Sequence, residues 1–553
     1  MSAASTTGAR PVPTRAQVWL GRAARAVSGL AVLGLTVVVV VAGARAPAEG
    51  PSSVATTVVP VPPTASTLVC AGPLIQPDDT GRGDSAFDPT PVEPVTTLTV
   101  VTSVPDRDGS SAGTVAPLDR SAVTATLAPG GTATVVPDVT GPQVVRAEPG
   151  TAPARVAAAS AGLVTAGDLR GLAAASCQQP TADAWLLGGA TDLSSTAQLV
   201  LSNAGSTPAE VTLAVWGPSG PADLTGERFL VAPGAQHVVV LGGIAPEQRR
   251  LALHVSATGG RVGVHVQDSA IDGFTPAGTE LVVPGAAPAR RQVVPGLAVV
   301  DSTVGDLSAP ALRLLAPGDT GTTAQVTLLG PTGVTELPGA ASVALVPGEV
   351  TDVPLGGLPA GAYTAVVDAD QPVLASAVLT RPGSVGELDD VPSVERAWAA
   401  STAVGRSGVV AVPAGTRGTL VAGAVAARTD VMPGRAAAAT LRFLGADGSV
   451  LAERRLRLDA GTTGSWSVDE LATGTGDVVV AEPGSSTASP SAPAGVVGVD
   501  LVTDEDSEVA LAWALVAEVD RPDGVLVSVL DPVPVPRTTP DVAVREDPRL
   551  GTR

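Results

Sequence analysis

Hydrophobic and polar residues alternate with a period of two in many short runs, and one such run occurs three times. The copies read AEVTLAVWGPSG, AQVTLLGPTG and AATLRFLGADG, at residues 209–220, 324–333 and 438–448. In each copy apolar side chains stand two and four positions before the first turn glycine, and this alternation places every second side chain on the buried face of a β-strand. The pattern therefore predicts a strand that ends in a glycine turn.

The three copies are evenly spaced, and a second landmark has the same spacing. The glycines of the first turn are 113 and 115 residues apart, at Gly217, Gly330 and Gly445. A second turn follows in each copy, and its glycines are 114 and 113 residues apart, at Gly234, Gly348 and Gly461. Two landmarks with one period indicate a repeated domain.

The period selects the fold class. It is too long for a solenoid or propeller blade and too short for a barrel enzyme, but it fits a sandwich of about seven antiparallel strands. Leu127 and Val135 hold the same offsets around Gly130, which predicts an earlier, degenerate copy. We therefore expect an all-β chain of tandem immunoglobulin-like antiparallel β-sandwich domains after a single N-terminal transmembrane helix. Beyond that helix, only Ala159–Ser176 reads as a long helical stretch.

These landmarks divide the chain into eight segments. The predicted segments are a cytoplasmic tail (1–25), a transmembrane signal anchor (26–44), a Pro/Ser/Thr-rich stalk (45–65), a degenerate β-domain closed by a disulfide (66–180), three β-sandwich repeats (181–290, 291–395 and 396–531) and a flexible tail (532–553). No fold is expected in the stalk, because its composition is that of an extended linker.

The amino-terminal segment contains one long uncharged apolar run. Residues 26–44 would form a helix about 28 Å long, close to a bilayer core of about 30 Å. Four arginines precede the run and one follows it, so the positive charge predicts a cytoplasmic N-terminus and an extracytoplasmic remainder. A cleavable signal peptide is the alternative, because small residues surround an Ala44-x-Ala46 site, and the chain would then be secreted.

The chain has two cysteines, Cys70 and Cys177. An exported chain meets oxidising conditions, which predicts a single disulfide that joins the ends of the first β-domain. Closing a loop of about a hundred residues would stabilise the fold by about 4–5 kcal/mol. A free nucleophilic thiol and two unpaired buried cysteines are the alternatives, and thiol titration distinguishes them.

Composition and charge exclude several kinds of chemistry. All 33 basic residues are arginine, which rules out a GxxxxGK phosphate loop, a Schiff-base lysine and a Ser/Lys dyad. Five arginines precede Glu49, which leaves 28 against 53 acids and a net charge of −25 for residues 46–553. A surface of that charge repels nucleic acid, so no nucleic-acid partner is expected.

All three histidines, His237, His254 and His265, lie in the first full repeat. His254 and His265 are equidistant from the turn at Gly259-Gly260, which predicts that they face each other across a two-stranded hairpin. Such a pair is a weak candidate for a metal site or a pH-sensitive contact. Solvated surface histidines are the simpler interpretation, because no cysteine or carboxylate stands at a suitable spacing. No metal or other cofactor is expected.

The sequence offers little catalytic machinery. A Ser-His-Asp triad would need one of the three histidines, and no GxSxG elbow occurs. A carboxylate pair acting on glycans would lack aromatic platforms in a chain with 6 Trp, 1 Tyr and 4 Phe. The acidic clusters Glu387–Asp390 and Asp504–Glu508 are calcium candidates that read more simply as solvated turns. The RGD triplet Arg82–Asp84 is a chance match, and Gly484–Gly495 reads as a flexible insertion. No catalytic residue is predicted.

Three segments carry a resemblance to a known family. STLVCAGP follows the apolar run, CQQPTADAWLLGG contains Cys177 and Trp185, and AQLVLSNAGSTPAEVTL lies in the first full repeat. Over roughly residues 66–530 the chain resembles a family of large exported actinobacterial proteins of unknown function. The resemblance implies a membrane-anchored envelope protein whose gene lies near that of a membrane glycosyltransferase, and no catalytic residue carries over. Asn203-Ala204 stands where the family has Asn-Pro, which puts only the shape of that turn in doubt.

The sequence thus favours a non-enzymatic, extracytoplasmic cell-envelope protein that acts as a spacer and interaction scaffold. The expected partners are the membrane, through residues 26–44, and envelope polysaccharide or a membrane glycosyltransferase. The alternative is a glycan-binding or glycan-active protein that uses one β-sandwich repeat.

Overall fold

The computed structural model describes most of the chain. The described residues are 15–45, 56–59, 62–76, 91–103, 112–306, 308–337, 340–385, 390–426, 435–479, 495–504, 507, 509–535 and 542–545. They belong to two compact units, one of which contains the amino-terminal helix while the other spans Pro62–Thr539. The regular secondary structure in the described part of the larger unit is almost entirely antiparallel β-strand, which confirms the predicted all-β fold class.

The smaller unit begins with helix α1 (Arg15–Arg45), which is followed by strand β1 (Thr56–Val59). Within α1 the 24 residues Arg22–Arg45 are long and apolar enough to cross a membrane or to act as a signal sequence. This agrees with the predicted single apolar helix at the N-terminus.

The larger unit begins with sandwich 1. Its strands are β2 (Ser66–Cys70), β3 (Val95–Ser103), β4 (Gly113–Pro117), β5 (Ala125–Leu127), β6 (Thr132–Val136), β7 (Gln143–Ala147), β8 (Arg155–Val164) and β9 (Gly171–Ser176). One sheet has the order β2-β7-β4-β5 and the other has the order β6-β3-β8-β9.

Sandwich 2 follows directly. Its strands are β10 (Asp183–Leu187), β11 (Ser195–Ser202), β12 (Ala209–Gly217), β13 (Gly220–Pro221), β14 (Arg228–Val231), β15 (Gln236–Val240), β16 (Ala252–Thr258), β17 (Gly263–Asp272) and β18 (Thr275–Val282). One sheet has the order β10-β16-β12, with β13 and β14 beside β12, and the other has the order β15-β11-β17-β18.

Sandwich 3 contains a strand that serves both sheets. Its strands are β19 (Ala289–Val299), β20 (Ala311–Leu315), β21 (Thr322–Gly330), β22 (Gly333–Thr335), β23 (Ser342–Leu345), β24 (Thr351–Pro354), β25 (Gly361–Val385) and β26 (Pro392–Ala400). The first part of β25 pairs with β19 and β21, and the part from Val373 onward pairs mainly with β20 and β26. One 25-residue strand therefore supplies the sixth and the seventh strand.

Sandwich 4 completes the larger unit. Its elements are β27 (Gly408–Ala411), β28 (Arg417–Ala426), β29 (Ala436–Gly445), β30 (Val450–Asp459), β31 (Thr463–Ser467), helix α2 (Val468–Thr473), β32 (Val496–Thr503), β33 (Val509–Arg521), β34 (Gly524–Leu530) and β35 (Val533–Pro534). One sheet has the order β30-β29-β32-β27-β35, and β31-β28-β33-β34 form the other layer.

Within the described residues, all four sandwiches share one topology. Counting the main strands of each sandwich from one to eight, the first sheet has the order 1-6-3-4 and the second has the order 5-2-7-8. Pairing of strand 2 with strand 5 and of strand 3 with strand 6 is that of an immunoglobulin sandwich. Strand 7, however, pairs with strand 2 in place of strand 6, and an eighth strand follows it.

The second turn of every copy joins strand 4 to strand 5. Its glycine has a positive φ in each sandwich, at 91° for Gly130, 68° for Gly234, 75° for Gly348 and 83° for Gly461. Glycine adopts this backbone conformation without a steric cost, so the geometry of the turn favours glycine at this position. The shared backbone geometry explains why the sequence preserves the second landmark in all four copies.

The eighth strands of the four sandwiches pack against one another. Strand β9 contacts β18 and β34, and β26 contacts the same two strands. Sandwich 1 therefore contacts sandwich 4, which is last in the chain, as well as its sequence neighbour. The four domains form a closed body within the larger unit.

Three local predictions differ from the structure. The Ala159–Ser176 stretch forms the end of β8 and the whole of β9, because its alanines are buried where strands of several sandwiches meet. In the predicted stalk, Thr56–Val59 pairs with strand β36 (Val542–Arg545) of the predicted flexible tail. In the same tail, Val533–Pro534 pairs with β27 of sandwich 4.

Candidate functional site

The two cysteines form a disulfide between Cys70 and Cys177, as predicted. Cys70 ends strand β2, and Cys177 directly follows β9, so the bond ties the first strand of sandwich 1 to the end of its eighth strand across the two sheets. Both residues are buried. The disulfide excludes both alternatives, a free nucleophilic thiol and two unpaired buried cysteines.

The predicted hairpin pair of His254 and His265 is wrong. Strands β16 and β17 belong to different sheets, so His254 lies opposite Trp185 and Ala214, whereas His265 lies opposite Val200. The turn between them crosses from one layer of the sandwich to the other. The sequence pattern could not separate the two arrangements. Two strands in facing sheets bury every second side chain in their shared core, and the two strands of a hairpin in one sheet show the same alternation of apolar and polar residues.

His254 contacts a carboxylate and an indole instead. Its Nε2 lies 2.8 Å from Asp183 Oδ2, and its ring stacks on Trp185 with 4.1 Å between ring centroids. Trp185 also stacks on Trp216, at 5.3 Å. Burial lowers the pKa of His265 to about 4, so that this ring is neutral at neutral pH.

The other predicted site residues give no cluster. Among the residues that the structure describes, no group of three or more His, Cys, Asp or Glu side chains could hold a metal ion. The RGD triplet Arg82–Asp84 lies outside the described residues, as do most of Glu387–Asp390, Asp504–Glu508 and Gly484–Gly495.

A cavity of about 390 Å³ lies where the four sandwiches meet, and the sequence analysis missed it. Its walls come from the connections between consecutive sandwiches: residues 177–181, 283–287 and 401–407, together with residues 531–534 after the last eighth strand. Because the eighth strands pack together, the connections that follow them gather around one space. The volume falls in the range of small-molecule sites.

Two residues that line the cavity each have a buried polar atom without a hydrogen-bond partner among the described residues. The two atoms are Oδ1 of Asp531 and the indole Nε1 of Trp513, whose side chain is 2% exposed. Burial raises the pKa of Asp531 to about 7. The backbone of Asp531 is held in place, because its carbonyl oxygen accepts a hydrogen bond of 2.6 Å from Ser176 Oγ.

Two further buried acids hold the eighth strands together. Glu395 Oε1 accepts a hydrogen bond of 2.9 Å from the backbone N–H of Leu172, and Glu280 Oε1 accepts one of 3.2 Å from that of Ala174. The acids come from sandwiches 3 and 2, and both acceptor bonds reach strand β9 of sandwich 1. Burial raises the pKa of Glu395 to about 8 and that of Glu280 well above its ordinary value.

The hydrogen bonds of Ser528 support a protonated Glu280. Ser528 Oγ contacts two acceptors, the Leu172 carbonyl oxygen and Glu280 Oε2, the latter at 2.7 Å. One hydroxyl hydrogen cannot serve both acceptors. Both contacts are satisfied when Ser528 donates to Leu172 and a protonated Glu280 carboxyl donates to Ser528, which agrees with the raised pKa.

Sequence reasoning missed these groups, although a signal was present. Glu280 and Glu395 stand at buried positions of strands β18 and β26, and Asp531 directly follows strand β34. A charged residue in the buried phase of a strand indicates a polar partner in space. The partners stand in other sandwiches more than a hundred residues away, so spacing alone could not identify them.

Comparison with known proteins identifies a family. The family of unknown function DUF5719 matches residues 133–469, which is more than half of the chain. No curated protein matches the chain. Among solved structures, one described as Thermotoga maritima 1070 is 17% identical, covers 21% of this chain and 95% of that chain, and has a TM-score of 0.15. The BSP domain of a biofilm associated protein is 9% identical, covers 89% of this chain and 100% of that chain, and has a TM-score of 0.11. At these TM-scores neither likeness carries an argument.

Proposed function

The chain belongs to the DUF5719 family, and we propose that it is a non-enzymatic, membrane-anchored cell-envelope protein whose extracytoplasmic body is an interaction scaffold. The observation that carries the proposal is the contact between the first and the last sandwich. It makes the described domains one closed body, which suits a protein that holds partners in fixed positions.

That contact is built around a buried carboxylate. Asp500 on β32 of sandwich 4 is 0% exposed, and it accepts hydrogen bonds from Arg155 Nε at 3.0 Å and from Ser103 Oγ at 2.6 Å. Both donors belong to sandwich 1. A buried charge is tolerated only when it is paired and hydrogen-bonded, so these three residues lock the two sandwiches together.

Further contacts link the other neighbours. Trp398 of sandwich 3 is buried in the apolar core of sandwich 2, where its Nε1 donates to Asp268 Oδ2 at 3.0 Å. Arg381 of sandwich 3 reaches Glu518 of sandwich 4 at 3.2 Å. An extended spacer would lack the contact between sandwich 1 and sandwich 4. Of the predicted role as spacer and interaction scaffold, we therefore propose the interaction scaffold.

The location rests on the amino-terminal helix. Helix α1 has an apolar segment that is long enough to span a bilayer, and arginines are concentrated before it. By the positive-inside rule, the short tail is cytoplasmic and the β-body is extracytoplasmic. The disulfide supports this location, because such bonds persist in oxidising compartments.

The partners that we propose are the membrane, through residues 26–44, and envelope polysaccharide or a membrane glycosyltransferase. The alternative function, glycan binding or turnover by one sandwich, stays a prediction. Two measurements test the proposal and separate it from the alternative.

The first test is protease treatment of intact cells that carry one epitope before Arg15 and another after Pro534. We expect loss of the second epitope and protection of the first. The reverse pattern would contradict the location.

The second test is in-cell photocrosslinking from exposed positions such as Leu193, which is 93% exposed, with the buried Leu199 as the control position. We expect adducts with an envelope partner from the exposed position alone. Hydrolysis or transfer of wall polysaccharide by the purified full chain would refute the non-enzymatic role.

A further inference from the structure

The peptide bond between Asp531 and Pro532 lies in the short connection from strand β34 to strand β35. Both residues line the cavity at the meeting point of the sandwiches. Among the residues that the structure describes, this is the one Asp-Pro bond. Two more Asp-Pro bonds lie outside the described residues, at Asp88–Pro89 and Asp547–Pro548.

The carboxyl group of Asp531 carries an oxygen without a partner. Its Oδ1 is buried and accepts no hydrogen bond from the described residues. Such an atom costs about 1–3 kcal/mol, and one explanation for it in a native protein is a chemical role. The carboxyl group is joined to the carbonyl carbon of its own residue through Cβ and Cα. Its attack on that carbon closes a five-membered ring, so covalent structure already brings the two groups together.

The carbonyl group of the same bond is held from sandwich 1. Ser176, the last residue of β9, donates a hydrogen bond of 2.6 Å from its Oγ to the Asp531 carbonyl oxygen. Attack on the carbonyl carbon places negative charge on this oxygen, and a donor that already points at it stabilises the charge. On the other side of the bond, the Pro532 ring packs against Gly408 of β27, where a Cβ atom would lie 3.0 Å from Pro532 Cβ.

Proline provides the leaving group. Its peptide bond is a tertiary amide, and the nitrogen of a tertiary amide is more basic than that of an ordinary peptide bond, so it takes up a proton more readily. The proton is available on Asp531 itself. Burial raises the pKa of this carboxyl to about 7, so a large share of the chains keep the proton at neutral pH.

We propose that the chain cleaves itself between Asp531 and Pro532. The carboxyl oxygen forms a bond to the Asp531 carbonyl carbon, the bond from that carbon to the Pro532 nitrogen breaks with its electron pair on nitrogen, and the carboxyl proton moves to the nitrogen. A cyclic anhydride remains on Asp531, and Pro532 becomes a free amino terminus. Water from the cavity, which Asp531 lines, adds to the anhydride and gives two carboxyl groups. The sum is hydrolysis of one peptide bond, with water as the co-reactant.

The product is a body with one cut in its chain. The separated segment Pro532–Arg553 has 22 residues and contains β35 and β36. These strands pair with β27 and β1, so the segment can stay bound after the cut. One cut per chain is not turnover, and the proposal therefore does not rest on the scaffold role and does not conflict with it.

The test is mass spectrometry of the purified full-length chain during incubation at neutral pH. We expect a fragment that ends at Asp531 and the 22-residue segment to accumulate together in equal amounts. The bonds Asp88–Pro89 and Asp547–Pro548 should stay intact. Unfolding in guanidinium chloride should stop the cut, because it separates Ser176 from the Asp531 carbonyl oxygen.

Two variants test the assigned roles. Asp531→Ala removes the carboxyl group and should abolish the cut. Ser176→Ala removes the donor to the carbonyl oxygen and should slow the cut about 100-fold, the usual effect of losing one such donor. The matched control is Ser407→Ala, because Ser407 lines the same cavity but its hydroxyl group contacts Thr503; the rate should be unchanged.

The proposal is overturned if no cut chain accumulates, if all three Asp-Pro bonds are cut at similar rates, or if Ser176→Ala is cut as fast as the wild type. Circular dichroism of each variant shows that the fold is retained. Should Ser176→Ala not fold, Pro532→Ala decides in its place, because a secondary amide should be cut more slowly and an unchanged rate would overturn the proposal. The crosslinking result for the scaffold role is unaffected by either outcome.

Discussion

The interior of sandwich 2 and the junction of the eighth strands are both buried, yet they are built from opposite chemistry. Inside the sandwich, Leu199, Leu213 and Leu253 are at most 1% exposed and touch apolar neighbours. At the junction, Glu280 and Glu395 are equally buried, and their carboxyl groups bind backbone N–H groups of another sandwich. Alternating apolar residues make each sandwich, whereas individual polar residues determine which sandwiches meet.

The difference has a physical basis. Apolar burial is non-directional, so one pattern of valines and leucines serves four copies of the fold. A buried carboxyl group needs hydrogen-bond donors at defined distances, and it therefore favours the one neighbouring sandwich that supplies them. The contact between sandwiches 1 and 4 follows the same rule through Asp500, Arg155 and Ser103.

The largest expected effect comes from a bond inside one sandwich. Replacing both Cys70 and Cys177 with alanine removes the disulfide, whose ends are 107 residues apart, and should lower the free energy of unfolding by about 4 kcal/mol. Denaturant titration followed by circular dichroism measures the loss. Reductant added to the wild-type chain should reproduce it, and an unchanged midpoint would show that the bond does not stabilise the fold.

A contact between sandwiches is expected to have a slightly smaller effect. Asp500→Ala leaves Arg155 without its buried partner and should cost about 3 kcal/mol. The control is Asp520→Ala, which removes an ion pair with Arg417 from the same sandwich. Because the Asp520 and Arg417 side chains are 59% and 61% exposed, this change should cost less than about 1 kcal/mol. Equal losses for the two variants would contradict the role assigned to Asp500.

The sequence was sufficient to predict the sandwiches, but it did not predict how they associate. The period of the turn glycines, the disulfide and the amino-terminal helix were all visible, because each leaves a local pattern. The two histidines were misplaced, because His254 and His265 lie in facing sheets, which share the alternation of a hairpin. The cavity was not foreseen, because the connections that line it are distant in sequence and converge only when the four sandwiches meet.

The buried acids make a pH-dependent prediction for the junction. The folded-state pKa of Glu395, about 8, lies above its ordinary value of 4.5, so its stabilising contribution is complete below pH 4.5 and is lost as the pH rises to about 8. Glu280 shifts in the same direction. Thermal unfolding should therefore occur at a lower temperature as the pH rises through this window.

Glu395→Gln sharpens the pH prediction. Glutamine keeps an acceptor for the Leu172 N–H but does not ionise, so the pH dependence of this variant should be shallower than that of the wild type. Asp306→Asn is the matched control, because Asp306 is exposed and its pKa is lowered by hydrogen bonds from Ser308. Identical pH profiles for Glu395→Gln and the wild type would exclude Glu395 as the titrating group.

The smallest expected effect concerns a repeated turn. Gly461 has a φ of 83°, and a Cβ atom there would meet only Val334 Cγ2 at 3.9 Å, so Gly461→Ala tests backbone strain with little steric conflict. We expect a loss of about 1 kcal/mol. Gly226→Ala, where φ is ordinary and no atom lies within 4 Å, should be neutral by the same denaturant titration. A neutral Gly461→Ala would remove the conformational reason for this landmark.

The closed body is tested most directly by a double-mutant cycle between Arg155 and Asp500, two residues from the first and the last sandwich. The unfolding free energies of Arg155→Ala, Asp500→Ala and the double variant give the coupling between them. A direct contact predicts a coupling of about 1–3 kcal/mol. Additive losses, with a coupling below about 0.5 kcal/mol, would show that the two sandwiches do not touch in solution and would contradict the account.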